Sequence, residues 1–288
     1  MAMSEFVRSV TSHGLRFRWF TCNTTEIRLP NGKYILIDPF LPDENDPQWG
    51  RMGMNCGYCV ADLEGCDYVI INHAHGDHIL QLGDVYDRFY PRVLCHANTA
   101  IYYSQTFGIP ERDIFPFESH DIYDFGDFIL ETSEGRHNAT KFSRQVRKID
   151  DHASIDYLGA LGSLFNTNLV ITTNDNLKIG FSAGEWDRIA QRRWQDVHPN
   201  VLFRHRTNWQ MEPAEMAQVI AQIGAQISIP WHHNNAYDPS FDYDFNAFTA
   251  KVNEELAKMG TQCQFINPER GIWYEISMQC AICPGQGK

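Results

Sequence analysis

The chain has 288 residues, 43% of them hydrophobic, enough to bury a large core in a single domain spanning 1–288. Its formal net charge of −12 repels phosphate backbones, which argues against nucleic acid as a partner. No apolar run reaches the length that spans a bilayer, and Met1–Arg8 has no signal-peptide apolar region, so a cytoplasmic protein with no membrane partner is expected.

β-Branched and aromatic runs predict strands near 15–20, 24–29, 33–38 and 67–72. The last of these runs into His73-Ala-His75-Gly-Asp77-His78, where four metal-ligating side chains fall within six residues. In extended backbone His73 and His75 leave on one face and can grip one cation. Gly76 lets the chain turn, so Asp77 and His78 can address a second position. Asp77 also stands where a cap is wanted for a helix over 78–88. A strand near 92–96 and a helix near 97–107 follow. Strands are then expected near 127–133, 168–174, 177–182, 200–205, 226–230, 263–266 and 271–276. Further helices are expected near 186–194, 212–223 and 242–259. In the 212–223 segment Pro213 sits in the first turn and Met216, Val219, Ile220 and Ile223 recur at helical spacing. Segments 41–66 and 138–167 read as loop insertions that lie around a cleft as substrate lids.

The hexapeptide resembles the HxHxDH signature of the metallo-β-lactamase-fold hydrolases. Tyr34-Ile-Leu-Ile-Asp38-Pro39 is similar to that family's early strand ending in Asp-Pro. Ile229-Pro230-Trp231-His232 resembles the late Pro-x-His of the branch that includes ascorbate-phosphate lactonases. The resemblance implies an α/β (αββα) fold, with two mixed β-sheets sandwiched between helices. It implies two divalent metal ions, Zn²⁺ first, with Mn²⁺ or Fe²⁺ as alternatives. It also implies further ligands on separate loops. His137, after the strand at 127–133, takes the place of the third ligand of the first metal, with His152 as its competitor. His232 takes the late position on the second metal. The family's bridging Asp is here Glu185, a departure that leaves the two-metal state open, with Asp187 the other candidate.

Asp38 can orient a metal-bound imidazole or serve as a turn residue ahead of Pro39. His233 is a candidate supporting or substrate-facing group. His205, with Arg204 and Arg206, could meet an anionic substrate at the end of its strand, or be a solvated loop. Cys56-Gly-Tyr-Cys59 and Cys280-Ala-Ile-Cys283 have the spacing of zinc knuckles and could form one structural Cys₄ site, or remain unlinked thiols. Cys22, Cys95 and Cys263 read as small core residues. Trp209 and Trp231 could wall the cleft.

A bound divalent metal brings the pKa of water from near 16 to roughly 7, so no Ser or Cys nucleophile is required. The expected activity is hydrolysis of a small ester, lactone or phosphoester, with Asp77 orienting the nucleophile or taking its proton. The partner is a small molecule, anionic ones included, and the composition leaves a homo-oligomer open. The alternatives are a nucleotide phosphodiesterase or nuclease of the same fold, which calls for a basic groove, and a non-hydrolytic metal-binding relative. Diiron oxidoreductases of the fold usually carry Glu where this chain has His75.

Overall fold

A computed structural model describes residues 9–11, 14–46, 56–135, 165–183, 188–205, 212–233, 245–277 and 279–281. In chain order the first strands are Ser9–Thr11 (β1), Leu15–Thr21 (β2), Thr24–Arg28 (β3), Tyr34–Ile37 (β4) and Tyr68–Ile70 (β5). Helices Gly76–Ile79 (α1) and Leu82–Phe89 (α2) follow, then strand Arg92–His96 (β6) and helix Ala97–Phe107 (α3). Strands Ile114–Phe117 (β7), Ile122–Asp124 (β8), Phe128–Glu134 (β9), Thr167–Thr173 (β10) and Lys178–Phe181 (β11) come next. Helix Arg188–Val197 (α4), strand Val201–His205 (β12), helix Pro213–Ile223 (α5), strand Ile227–Trp231 (β13) and helix Phe245–Lys258 (α6) follow. The last strands are Gln264–Phe265 (β14), Tyr274–Ile276 (β15) and Gln279–Ala281 (β16).

Two seven-stranded mixed sheets form the body, in the orders β15-β2-β3-β4-β5-β6-β7 and β14-β13-β12-β11-β10-β9-β8. The short β1 pairs antiparallel with β16, joining the two ends of the chain. Side-chain alternation explains why two sheets and two helical layers coexist. On β12, Val201 and Phe203 face the core between the sheets, while Leu202 faces Trp194 and Ile223 of the helices outside. The inter-sheet core is built from residues such as Phe17, Ile37, Leu94, Phe181 and Trp231. Helices α2 and α3 cover the outer face of the first sheet, and α4, α5 and α6 that of the second, giving the expected αββα layering. Gly180 is required by close approach: a Cβ there would stand 2.4 Å from the Trp194 ring. No helix among the described residues is long and apolar enough to cross a membrane.

Three expectations change. The helix over 78–88 is broken into α1 and α2. Gln81 accounts for the break, because its N–H donates to Pro39 O at 3.0 Å and its side chain accepts from Leu41 N. Strands β1 and β16 lie where none was expected, as do β7 and β8 at the ends of the two large sheets. The latter two are edge strands, and β7 holds Pro116, which an edge tolerates because the proline owes no ladder hydrogen bond. The described parts of segment 41–66 do not hang over an inter-sheet cleft. Leu41, Cys56, Leu63 and Cys66 are buried in the cluster on the outer face of the first sheet.

That segment is also held by a buried ion pair. Arg18 Nε donates to Glu26 Oε2 at 2.6 Å, and Arg18 Nη2 donates to Asp62 O at 2.7 Å. Glu26 Oε1 accepts from the N–H groups of Glu64 and Gly65 at 2.8 and 3.1 Å. Burial raises the Glu26 carboxyl, and the Arg18 charge opposes the rise. Glu26→Ala strands a buried guanidinium and two N–H groups, so a loss of about 3–5 kcal/mol is expected. Denaturant unfolding measures it; a loss below about 1 kcal/mol would mean that water replaces the carboxylate at little cost.

Candidate metal centre

The strand directions gather the candidate residues at one rim. β4, β5 and β6 are parallel, so their C-terminal ends share an edge that carries Asp38, the loop from Asn72 to His78, and His96. In the second sheet β11, β12 and β13 are parallel, and β9 shares their direction because both β9 and β11 are antiparallel to β10. Their C-terminal ends are Glu134, Phe181, His205 and Trp231. The rims are tied across the sandwich. Asn72 Nδ2 donates to Thr167 O at 2.6 Å, Thr167 N to Asn72 O at 3.1 Å, and His232 N to Cys22 O at 3.0 Å.

At this rim the imidazoles are oriented by second partners. His78 is fully buried, and its Nδ1 lies 2.8 Å from Asp38 Oδ2, so the Nε2 side faces the rim. His78 Nε2 makes no hydrogen bond; Asp77 Oδ1 stands 3.7 Å away. His73 Nδ1 is 2.7 Å from Asn72 Oδ1, which fixes that ring in the same way. The His73 ring centre lies 3.6 Å from that of His78 and 4.9 Å from that of His75. His232 Nε2 is 3.0 Å from Asp77 Oδ2, and its ring lies 5.4 Å from His78 and 4.7 Å from His205.

Asp38 stands behind His78 Nδ1. It is fully buried, with φ +48°, and its Oδ1 accepts from Asn72 N at 2.7 Å. Asn23 Nδ2 reaches its Oδ2 at 3.2 Å. Burial raises the Asp38 carboxyl. For His78 burial would lower the ring, but the carboxylates of Asp77 and Asp38 outweigh it and the ring is raised. A divalent cation fits this donor set: oriented imidazoles, a carboxylate between them, and a buried Nε2 that makes no hydrogen bond.

Several assignments are corrected. Asp77 is not the cap of α1; that position is His75, and Asp77 lies inside the first turn, which directs its carboxylate to His232 and His78. Arg204 does not face an anionic substrate beside His205. Neighbouring residues on a strand point to opposite faces, so Arg204 is wholly buried on the other face, where burial pushes its guanidinium down to about 9 and Glu215 opposes the fall. His233, expected as a supporting or substrate-facing group, is packed among aromatic rings. Its ring stacks on Trp19 at 4.4 Å, lies 4.6 Å from Phe245, and meets Asn267 Oδ1 at 3.1 Å. Trp231 belongs to the inter-sheet core, its Nε1 donating to Asn23 O at 2.9 Å. His205 is buried beside His232, whereas a solvated loop residue was the alternative.

His137, His152, Glu185, Asp187, Arg206, Trp209 and Cys283 lie outside the described residues, as does the side chain of Cys280 and most of segment 138–167. Of the proposed Cys₄ set, Cys56 is buried with Sγ directed to Tyr58 O at 3.4 Å, and Cys59 is exposed. Sequence reasoning missed two residues. Cys22 is not in a strand: it occupies the turn between β2 and β3, and its thiol approaches Asp77 and His232. His96 ends β6 and caps α3 by accepting from Asn98 N at 3.2 Å, a task suited to the neutral ring that burial favours.

Residues 17–142 match the family model of the metallo-beta-lactamase superfamily. A UPF0173 metal-dependent hydrolase from Thermodesulfovibrio yellowstonii is 34% identical over 61 residues, 21% of this chain and 20% of that protein, so the match spans about a fifth of the relative. A solved metallo hydrolase from the hyperthermophilic archaeon Ignicoccus hospitalis superposes with a TM-score of 0.63 at 16% identity, over 93% of this chain and 99% of that one. An isothiocyanate hydrolase from Delia radicum gut bacteria gives a TM-score of 0.66 at 17% identity, over 90% and 98% of the two chains. By its two-sheet sandwich and its superposition on these structures the chain has the metallo-β-lactamase fold, and residues 17–142 match that superfamily's model.

Proposed function

We propose that the chain is a metal-dependent hydrolase that cleaves a small ester, lactone or phosphoester with water. The observation that carries this reading is the pairing of two rim imidazoles with partners behind them: Asp38 behind His78 and Asn72 behind His73. Such pairing fixes the tautomer that leaves Nε2 as a donor to a cation. His73 and His75 would hold a first ion, and Asp77, His78 and His232 a second, with His137 and Glu185, which follow β9 and β11 in sequence, proposed as further ligands. A divalent ion, when bound, supplies Lewis acidity and water that ionises near pH 7. In this reading Asp77, which has one oxygen near His232 and one near His78, orients the attacking water and takes its proton. The hydrolase names of the similar proteins support the reaction type, and the net charge of −12 supports a small molecule over nucleic acid.

Protein purified without chelator is expected to carry one to two equivalents of Zn, Mn or Fe. In a screen of lactones, thioesters, phosphodiesters and phosphorylated sugars, activity should vanish on chelation and return with metal. Protein that stays metal-free through reloading, or hydrolysis indifferent to chelation, would sink the proposal.

A further inference from the structure

Cys22 has φ +43° and is fully buried. Its turn is pinned twice through one carbonyl, which accepts from Trp19 Nε1 at 2.9 Å and from His232 N at 3.0 Å. The second bond fastens the Cys22 main chain to the residue whose ring meets Asp77. As a result the Cys22 Sγ, a carboxylate oxygen of Asp77 and a ring nitrogen of His232 all lie within 4.8 Å of one another. His78 Nε2 supplies a separate observation. It is buried, makes no hydrogen bond, and stands 3.7 Å from the same Asp77 carboxylate. Zinc bonds of about 2.3 Å to sulfur and about 2.0 Å to nitrogen place the ligand atoms of one ion roughly 3–4 Å apart. The cluster is therefore within a small side-chain adjustment of a four-donor shell.

We propose that the Cys22 thiolate is a ligand of the metal held by Asp77, His78 and His232, which makes that position a sulfur-containing site. The inference rests on the metal-dependent reading above and adds a donor that the motif does not contain. Binding displaces the thiol proton to solvent as the metal–sulfur bond forms. A soft donor biases this position toward Zn²⁺ or Fe²⁺ and away from Mn²⁺ and Mg²⁺, while the all-imidazole position keeps no such bias. A merely space-filling cysteine would predict none of this.

The test uses the full chain, stripped with chelator and reloaded with Co²⁺, whose absorption reports its ligands. Wild type should show an intense near-ultraviolet sulfur-to-cobalt band. C22S and C22A should lose that band, keep the visible bands of nitrogen and oxygen ligands, and bind the second equivalent at least roughly tenfold more weakly. Circular dichroism checks that the variants are folded. Should neither fold, zinc-edge absorption of the wild type decides, since a ligating Cys22 puts a sulfur scatterer at about 2.3 Å and its absence overturns the assignment. Wild type that binds Co²⁺ without the band, or a C22S band equal to wild type, overturns the Cys22 ligand and leaves the hydrolase reading standing. Failure of wild type to bind Co²⁺ at all overturns both.

Discussion

Asp77→Asn is expected to cut turnover by roughly 10²–10⁴ while the protein stays folded and retains much of its metal. The carboxylate is 14% exposed, at the boundary between the buried imidazoles and solvent. Asparagine keeps its volume and one acceptor oxygen but removes the charge and the ability to take a proton. His232 Nε2 at 3.0 Å can still be met by the amide oxygen, so the rim should hold its shape. The check is a comparison of turnover and metal content in the same preparation, on whichever substrate the screen returns. Unchanged turnover would remove Asp77 from the chemistry. Turnover and metal falling in the same proportion would make it a ligand alone.

Asp38→Asn is expected to weaken metal binding by about 10–100-fold without touching a metal ligand. Its Oδ2 now obliges His78 to carry its proton on Nδ1, leaving Nε2 as the donor to a cation. An amide nitrogen at that place would need an acceptor, so His78 would shift its proton to Nε2 and present the wrong nitrogen. The Oδ1 acceptor for Asn72 N survives the change, which keeps the turn in place. Competition titration with a chromophoric chelator measures the loss. Affinity equal to wild type would mean that Asp38 serves only the turn with φ +48°.

The residues most legible in the sequence were those whose role is local. His73, His75, Asp77 and His78 sit side by side in a loop after an apolar strand, and Asp38 follows another such strand. The strands and helices were legible for the same reason, since period-two and helical patterns act over a few residues, whereas their αββα layering came with the family resemblance. The break at Gln81 was not legible, because its cause is a pair of hydrogen bonds to Pro39 and Leu41 some forty positions earlier. Cys22 was hidden by distance too: its partners stand 55 and 210 positions downstream, and its turn depends on a positive φ that no neighbouring glycine announces. Arg204 was misjudged because adjacency in sequence was taken for adjacency in space, where a strand separates neighbours to opposite faces. The β7 strand was passed over because Pro116 argues against a strand everywhere except at an edge.

The bond from His232 N to Cys22 O joins the two sheets at their shared rim. Cys22 and Asp77 belong to one sheet and His232 to the other, so a chain whose sheets have not yet docked cannot assemble the proposed cation site. Docking must close a contact across 155 residues between Asp77 and His232, the kind of long closure that chains complete late. On the proposed metal reading, capture of the cation waits on that docking, and binding at full strength would report that both halves of the molecule have met in register.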